Sequence, residues 1–375
     1  MKVEQFTEHL RSEGVGFYTG VPDSQLKPLC NYLMDTYKIG REHIIAANEG
    51  NCTAIAAGYH LATGKIPLVY MQNSGIGNMI NPAASLLNDR VYGIPCVFVV
   101  GWRGEPGVPD EPQHIFQGQV TQTLLEDMDI LSFILSPETT EEELTAFLAR
   151  GKERLAAGKS IAFLVKKGAL SYEKAFVYQN ENRMMREEII RHIVNGSGDD
   201  ILVSTTGKAS RELFEIREGN RQSHQYDFLT VGSMGHCSSI ALGIAMNVQK
   251  TVWCLDGDGA ALMHMGGMAV IGANRPENLV HVVINNGAHE TVGGMPTVAQ
   301  RIDLCRIAAG CGYPQVFHAD DFQELDAAVL AARQAKALTF IEASAAIGAR
   351  EELGRPTIAP QENKRHFMQY LSTLH

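Results

Sequence analysis

Two segments rich in Asp, Asn and Gly each follow a short apolar run, where a strand is expected to end. The run at 251–255 leads into DGDG at 256–259, and the run at 279–284 leads into NNGA at 285–288. The spacer between them, 260–284, is long enough for one crossover helix and one strand. Ligands in open parallel sheets bind beyond the carboxyl ends of the strands. We therefore expect the two segments to face one crevice and to carry binding or catalytic chemistry.

Short apolar runs alternating with helical segments predict how these residues are positioned. Continuous apolar runs separated by helices indicate parallel strands with helices on both faces of the sheet, so the fold class is predicted to be α/β. The pattern begins again after a polar segment at 174–182, which predicts a domain boundary near 170–184. The predicted strands are 15–18, 44–47, 66–71, 95–100, 130–135 and 161–165 in the first half, and 201–204, 251–255, 280–284, 315–318 and 339–342 in the second.

Composition narrows the function classes. The 375 residues are 45% hydrophobic and 20% charged, which is typical of a globular protein of two domains. A formal net charge of -10 argues against nucleic acid or an anionic membrane as a partner. No apolar segment predicts a signal peptide or a membrane span, so we expect a cytoplasmic protein. The seven cysteines form no C-x-x-C pair and give no support to a disulfide or zinc framework, so reduced and mostly buried thiols are expected.

Common cofactor motifs fail at single positions. The G-x-G-x-x-G pattern that begins at Gly75 has Ile80 in place of its third glycine, and the one that begins at Gly257 has Leu262 there. The GKS triplet at 158–160 lacks the upstream glycine of a P-loop. A nicotinamide site is therefore weakly supported, and a P-loop nucleotide site is excluded.

The G-D-G, spacer and N-N arrangement of 257–286 resembles the diphosphate and magnesium site of the thiamine-diphosphate-dependent enzymes. Magnesium prefers six oxygen ligands, and glycines let the backbone approach phosphates closely. By this resemblance Asp258, the Asn286 side chain and the Ala288 carbonyl are Mg²⁺ ligands, and the cofactors are thiamine diphosphate and Mg²⁺. The alternative is that both segments are ordinary loops.

Other segments carry the same resemblance. ANEG at 47–50 is similar to the family's conserved-glutamate segment, which implies that Glu49 hydrogen-bonds N1′ of the aminopyrimidine and activates the cofactor. A helix-start Glu is the alternative. Met234 matches the residue that props the cofactor in its bent form, with core packing as the alternative. The residues implied to bind the cofactor are Gly207, Ser233, Met234, Gly257, Asp258, Gly259, Asn286 and Ala288.

Six segments are similar to the phosphonopyruvate decarboxylase branch of this family. They are MQNSGIGN at 71–78, GWRGEPG at 101–107, DEPQH at 110–114, TTGKASRE at 205–212, NNGAH at 285–289 and GGMPT at 293–297. The resemblance implies decarboxylation of phosphonopyruvate to phosphonoacetaldehyde and CO₂ in phosphonate biosynthesis. Sulfopyruvate decarboxylases share the QNSGxGN segment, so they, or an enzyme for another 3-substituted pyruvate, are the alternative.

A substrate with a carboxylate and a phosphonate requires cations and hydrogen-bond donors. The residues that could supply them are Lys27, Asn73, Ser74, Arg103 and His289. For Lys27 and Arg103, a solvated surface charge is an equal alternative. Asp23 is either the N-cap of the next helix or an acid that handles protons. His114 and His289 are either proton donors or structural histidines. The candidate catalytic residues are Glu49, Asp23 and His114.

The resemblance also implies domain roles and an assembly. Residues 1–173 would bind the pyrimidine half of the cofactor, 174–184 would be a linker, and 185–375 would bind the diphosphate. In this family the two halves that share one cofactor come from different subunits, so a homodimer or larger assembly with active sites at the interface is expected. A non-catalytic cofactor-binding protein would be expected to lack Glu49 or Asp258, and both are present.

Overall fold

A computed structural model describes residues 1–374 of the chain. The chain divides into two compact units. The first consists of Met1–Val177 with Val292–Met295, and the second of Tyr178–Thr291 with the chain from Pro296 onward. Within the described residues, no helix is both long enough and apolar enough to cross a membrane.

The first unit contains a six-stranded sheet in the order β2-β1-β3-β4-β6-β5, and all neighbouring strands are parallel. Its strands are β1 Val15–Gly20, β2 His43–Ile45, β3 Ile66–Gln72, β4 Val97–Gly101, β5 Leu131–Leu135 and β6 Ile161–Val165. Its helices are α1 Val3–Ser12, α2 Lys27–Thr36, α3 Glu49–Thr63, α4 Ile76–Pro82, α5 Pro112–Asp127 and α6 Glu141–Ala156.

The second unit contains a six-stranded parallel sheet in the order β13-β14-β10-β9-β7-β8. The strands from β7 on are β7 Ile201–Ser204, β8 Asp227–Leu229, β9 Val252–Gly257, β10 Leu279–Asn285, the two-residue β11 Ala288–His289 and β12 Met295–Pro296, β13 Gln315–Ala319 and β14 Thr339–Ser344. The helices from α7 on are α7 Arg186–Ser197, α8 Lys208–Gly219, α9 Cys237–Ala245, α10 Asp258–Met263, α11 Gly266–Asn274, α12 Leu304–Cys311, α13 Phe322–Ala335 and α14 Pro360–Ser372.

The strand β10 shows why the apolar runs are continuous. Val280 and Val282 belong to the core on one face of the sheet, and Leu279 and Val283 belong to the core on the other face. Successive side chains of a strand point to opposite faces, so a sheet covered on both faces favours apolar residues at consecutive positions, and the one polar residue in the middle of β10, His281, is buried with hydrogen-bond partners. The predicted α/β class with two parallel sheets is confirmed.

Two details differ from the predicted elements. The crossover helix expected within the spacer at 260–284 is preceded by a helix that begins at Asp258, so this acidic residue is the first residue of α10. Strand β8 was not predicted, because it has three residues and begins with Asp227. The Asp227 carboxylate is buried in an ion pair with Arg217, whose Nη2 lies 2.9 Å from Oδ1. A buried ion pair therefore stands where an apolar residue would have marked the strand.

Candidate active site

The parallel pairing of β9 with β10 in the second unit brings the two Asp- and Asn-rich segments side by side. Asp258 follows the end of β9, and Asn286 follows the end of β10. The Asp258 carboxylate is buried, and its Oδ2 accepts a hydrogen bond from Thr297 Oγ1 at 2.5 Å. Burial raises the pKa of Asp258 to about 7, although hydrogen bonds from Thr297 and from main-chain N–H groups oppose the rise.

The turn after β10 is fixed by its own amide side chains. Asn285 Oδ1 accepts a hydrogen bond from the Gly287 N–H at 3.0 Å, and Asn286 Oδ1 accepts one from the Ala288 N–H at 3.0 Å. Gly287 has a φ of 68°, a left-handed conformation that favours glycine. The Asn180 side chain donates to the Asn286 carbonyl at 2.8 Å. The turn is thus held in one shape, with the Asn286 N–H donating to the Asp258 carboxylate.

A largely buried network of ion pairs holds the Asn286 side chain through Glu290. Asn286 Nδ2 donates to Glu290 Oε2 at 2.9 Å. The same carboxylate receives Arg186 Nη1 at 2.9 Å and Lys208 Nζ at 2.7 Å, and Arg186 is also paired with Glu212. Burial opposes ionisation of Glu290, but the two cations keep its pKa below its ordinary value. Glu290 therefore stays charged and orients the Asn286 amide so that its oxygen faces away from the carboxylate.

Asp258, Asn286 and Ala288 together offer carboxylate, amide and carbonyl oxygens. This is the donor set that a hard divalent cation prefers. A buried carboxyl group with a raised pKa gains its charge at neutral pH when a cation is beside it. The second unit can therefore hold a magnesium-type ion at the ends of β9 and β10.

His289 lies beside this turn with an unsatisfied nitrogen. Its side chain is buried, and burial lowers its pKa to about 4, so the ring is neutral at pH 7. Its Nδ1 has no hydrogen-bond partner among the described residues. A Cβ added at Gly259 would lie 3.2 Å from the His289 ring and 3.3 Å from the Met234 methyl group. Gly259 thus leaves the space between Met234 and His289 open.

Two of the remaining cofactor-binding candidates of the second unit, Gly207 and Ser233, have a positive φ, whereas Gly257 is extended. Gly207 precedes α8 with a φ of 91°, and Ser233 has a φ of 55°. Ser233 Oγ lies 3.0 Å from His236 Nδ1. A non-glycine residue in this conformation is uncommon and is concentrated at functional sites. Gly257 is the last residue of β9.

Glu49, in the first unit, is the first residue of α3. Its carboxyl group is buried, and its Oε2 accepts a hydrogen bond from Asn78 Nδ2 at 2.7 Å. Burial raises its pKa above the ordinary value, although Asn78 opposes the rise. A Cβ added at Gly75 would lie 2.4 Å from Glu49 Oε1, so glycine at 75 leaves room for the carboxyl group. This arrangement can present a protonated carboxyl group to a buried base.

Asp23 does not cap the following helix, which corrects one of its two expected roles. Helix α2 begins at Lys27, with Leu26 at the cap position. Asp23 is buried and accepts hydrogen bonds from Gln72 Nε2 at 2.6 Å and from the Gln25 N–H at 3.0 Å. Burial raises its pKa. Because the peptide turns for three more residues before α2, the carboxyl group serves this turn and not the helix.

Arg103 lies close enough to Asp23 and His114 in the first unit for its charge to act on both. Its charge opposes the rise in the pKa of Asp23 that burial causes, and it adds to the lowering of the pKa of His114. The guanidinium group makes a two-point ion pair with Asp110, with Nε–Oδ2 at 2.8 Å and Nη2–Oδ1 at 2.5 Å. His114 is buried, burial lowers its pKa, and its Nδ1 has no partner among the described residues. Arg103, Asp23 and His114 thus form one cluster with an available ring nitrogen.

The other substrate candidates differ in their surroundings. Asn73 is buried, and its amide donates to the Arg103 carbonyl at 2.8 Å and to Thr121 Oγ1 at 2.9 Å. It therefore positions the loop that carries Arg103. Ser74 is exposed and donates to Gln72 Oε1 at 2.7 Å, and Lys27 is exposed in the first turn of α2.

Sequence reasoning did not single out the residues that hold these carboxyl groups. Gln72 and Asn78 lie inside the QNSGIGN segment, so a signal for them was present. Glu290 and Thr297 follow the NNGA segment at 285–288. Nothing in their spacing predicts that Glu290 contacts Asn286 or that Thr297 contacts Asp258. Each holds a residue that was predicted.

Ligands bind beyond the carboxyl ends of parallel strands, so two α/β units with buried carboxyl groups at those ends fit a cofactor-dependent enzyme. The chain matches the model of the thiamine pyrophosphate enzyme N-terminal TPP binding domain over residues 2–125 and that of the C-terminal TPP binding domain over residues 205–343. The chain therefore belongs to the thiamine pyrophosphate enzyme family, among its decarboxylases.

Three curated relatives extend along most of the chain. A phosphonopyruvate decarboxylase of Streptomyces viridochromogenes is 34% identical, over 96% of this chain and 92% of the relative. One of Streptomyces hygroscopicus is 34% identical, over 95% and 90%. A sulfopyruvate decarboxylase of Methanosarcina acetivorans is 28% identical, over 98% and 97%. The similarity to the phosphonopyruvate enzymes is thus higher at nearly equal coverage.

Proposed function

We propose that this enzyme decarboxylates phosphonopyruvate to phosphonoacetaldehyde and CO₂, with Mg²⁺ and thiamine diphosphate as cofactors. The observation that carries the substrate is the 34% identity to two phosphonopyruvate decarboxylases over at least 95% of the chain. The cluster of Arg103, His114 and Asp23 supports it, because a substrate with two anionic groups requires a cation beside groups that exchange protons.

The residues of the second unit fit the cofactor's charged half. Asp258, Asn286 and Ala288 would hold Mg²⁺, and the Mg²⁺ ion would neutralise the diphosphate. Gly207, Ser233, Gly257 and Gly259 would let the backbone approach the diphosphate or the thiazolium ring. Met234 would support the ring, because its methyl group lies beside Gly259.

The bound thiamine diphosphate would supply a carbon nucleophile and an electron sink for decarboxylation. Glu49 would exchange a proton with the aminopyrimidine N1′, a role supported by its burial and raised pKa. Arg103 and Lys27 would bind the phosphonate and carboxylate, with Ser74 as a hydrogen-bond donor and Asn73 holding the Arg103 loop. His114, His289 or Asp23 would deliver the proton that replaces the lost carboxylate.

The assembly belongs to the same proposal. Residues 1–173 would bind the pyrimidine half of the cofactor, 174–184 would link the domains, and 185–375 would bind the diphosphate. The division of the chain after Val177 supports this partition, as does the lack of helix or strand at 174–183. A homodimer or larger assembly would complete each active site with residues from two subunits.

Product identification tests the proposed substrate. The full chain is incubated with phosphonopyruvate, thiamine diphosphate and Mg²⁺, and the product is followed by phosphorus NMR. We expect an aldehyde that retains its carbon–phosphorus bond, and no inorganic phosphate. A parallel incubation with sulfopyruvate measures CO₂ release. A higher kcat/KM for sulfopyruvate would favour the second candidate, which the 28% identical relative supports.

A further inference from the structure

Cys305, His318 and Glu342 come together in the second unit, although they are far apart in the sequence. Cys305 lies in the first turn of α12, His318 in β13 and Glu342 in β14. His318 and Glu342 are register partners of two adjacent parallel strands, so their side chains point to the same face of the sheet. Helix α12 packs against both strands and brings Cys305 to this pair.

The distances within this cluster are those of a metal site. Cys305 Sγ lies 3.3 Å from Glu342 Oε2, and His318 Nδ1 lies 3.4 Å from the same oxygen. One ligand atom from each residue lies within 4.8 Å of the other two. A tetrahedral zinc ion with ordinary Zn–S, Zn–N and Zn–O bonds separates its oxygen ligand from the sulfur and nitrogen by about 3.4 to 3.6 Å. Both distances from Glu342 Oε2 are therefore already close to those of a zinc site.

Further hydrogen bonds orient two of the three side chains. The other ring nitrogen of His318, Nε2, lies 3.0 Å from Asp320 Oδ1, and Asp320 accepts from Ser344 Oγ at 2.6 Å. Histidines that bind metals usually donate their second N–H to a carboxylate or carbonyl, which fixes the ring and the tautomer. Glu342 Oε1 accepts from Asn285 Nδ2 at 2.8 Å, which leaves Oε2 to face Cys305 and His318.

We propose that Cys305 Sγ, His318 Nδ1 and Glu342 Oε2 bind one zinc ion, with a water molecule in the fourth position. A thiolate and an imidazole favour zinc over magnesium or calcium, which bind mainly oxygen. The side chain of His318 is 45% exposed and that of Glu342 is 10% exposed, so the ion can enter from the His318 side. The Cys305 thiol loses its proton to solvent when its sulfur binds Zn²⁺, and no electrons are transferred.

This site contacts the turn after β10 through one side chain. Asn285 joins Glu342 to the Gly287 N–H, because its amide nitrogen donates to Glu342 and its oxygen accepts from Gly287. A zinc ion on Glu342 Oε2 would hold this chain of hydrogen bonds in place. The zinc proposal itself does not depend on the proposed substrate.

Cobalt provides a direct test, because a thiolate bound to Co²⁺ gives a charge-transfer band that oxygen ligands do not give. The full chain is stripped of metal, supplied with excess Mg²⁺ to occupy oxygen-ligand sites, and titrated with Co²⁺. Zn²⁺ affinity is then measured in competition with a chromophoric chelator. We expect a charge-transfer band that saturates at one Co²⁺ per chain and disappears when Zn²⁺ is added.

Variants assign the band to these residues. Cys305→Ser should abolish it, and His318→Gln should weaken Zn²⁺ binding by more than the about 10- to 100-fold that the loss of an outer partner costs. Asp320→Asn should weaken it within that range. The matched control is Cys311→Ser, because Cys311 lies in the same helix, is also partly buried and is outside the cluster.

Two outcomes would overturn the zinc site. The first is the absence of a thiolate band in the parent protein, which would show that the cluster is only a hydrogen-bonded thiol beside a histidine–carboxylate ion pair. The second is a band that survives in both Cys305→Ser and His318→Gln. His318 is largely exposed, so its variant should fold even where the Cys305 variant does not.

Discussion

Asp258 and Glu49 are both buried carboxyl groups with raised pKa values, but their surroundings suit opposite tasks. Asp258 is hydrogen-bonded by Thr297 and by the Asn286 N–H of the turn after β10, and a cation would return it to the charged form. Glu49 has a single amide donor, Asn78, and its protonated form is favoured at higher pH than for an exposed Glu. The same physical effect would thus serve the proposed metal ligand in one unit and the proposed proton donor in the other.

Mg²⁺ affinity should fall as the pH drops below about 7, because the metal must displace a proton from Asp258. Well below this pKa, the loss approaches about tenfold per pH unit. The metal-free protein shows the opposite trend in stability. The folded-state pKa of Asp258 is raised. Its contribution to the free energy of unfolding is therefore present below the ordinary pKa of an Asp and is lost as the pH rises through about 7. Calorimetric titration with Mg²⁺ and thiamine diphosphate measures the affinity.

The matched variants are Asp258→Asn and Asp258→Ala. Both should bind Mg²⁺ and cofactor weakly while remaining folded, and Asp258→Asn should lose this pH dependence because its amide does not titrate. Normal cofactor retention by Asp258→Ala would contradict the metal assignment.

Gly75→Ala should displace the Glu49 carboxyl group, because the added methyl group would lie 2.4 Å from Oε1. A displacement of about 1 Å at a catalytic group can reduce the rate by about 10²-fold. We expect a loss of this order in kcat, measured as CO₂ release, with the circular dichroism spectrum unchanged. Gly77→Ala is the control, because an added Cβ there meets no atom within 4 Å. Equal activity of the two variants would contradict the close packing of Gly75 against Glu49.

Among the secondary-structure elements, most strands can be predicted from the sequence. The long-range hydrogen bonds that hold the side chains at the strand ends cannot. Mainly apolar runs such as β10 can be recognised as strands, because both faces of the sheet are covered. The segment at β8 is not recognisable, because its buried Asp227 depends on Arg217. The contacts of Thr297 with Asp258 and of Gln72 with Asp23 join residues 39 and 49 positions apart, and no local pattern predicts them.

The cysteines show the same limit more clearly. Counting C-x-x-C pairs gave no support to a zinc site. Cys305, His318 and Glu342 meet only because α12, β13 and β14 are neighbours in the folded unit. Spacing therefore predicts a site on two successive strand ends, such as that of Asp258 and Asn286, whereas this cluster, which resembles no known motif, becomes visible only in the structure.

Glu290→Gln tests how helices α7 and α8 support the turn after β10. The change keeps the size of the side chain but removes its charge, which leaves Arg186 and Lys208 without one partner. Breaking a buried ion pair on one side is strongly destabilising. We expect the melting temperature to fall by several degrees and Mg²⁺ binding to weaken, both measured on the full chain.

The control for this network is Glu187→Gln. Glu187 follows Arg186 in α7 and is paired with Arg350 and Arg191. These ion pairs do not involve the turn after β10. It should leave Mg²⁺ affinity unchanged. If Glu290→Gln also leaves the affinity unchanged, the network is not needed to orient Asn286.

At the scale of the whole molecule, the proposed dimer makes a specific prediction about mixed chains. Glu49→Ala and Asp258→Ala should each be inactive alone, because each lacks one half of the site. After the two variants are mixed and allowed to exchange subunits, activity should return in part, since some sites then receive Glu49 from the Asp258→Ala chain and Asp258 from the Glu49→Ala chain. Activity is measured against each variant alone at the same total concentration. An active monomer, shown by sedimentation at the assay concentration, would contradict the shared site.

Glu49 is proposed to activate the cofactor through its proton, and the exchange of the thiazolium C2 proton tests this role most directly. Glu49→Gln keeps the size and a hydrogen-bonding group of the side chain but has no carboxyl proton to exchange. Bound thiamine diphosphate is transferred to deuterated water, quenched with acid at successive times and analysed by proton NMR, with Glu42→Gln, an exposed position, as the control. We expect Glu49→Gln to retain the cofactor and to exchange the proton about 10² to 10⁴ times more slowly than the parent enzyme. Exchange as fast as in the parent would show that Glu49 is only the first residue of α3 and that another group activates the cofactor.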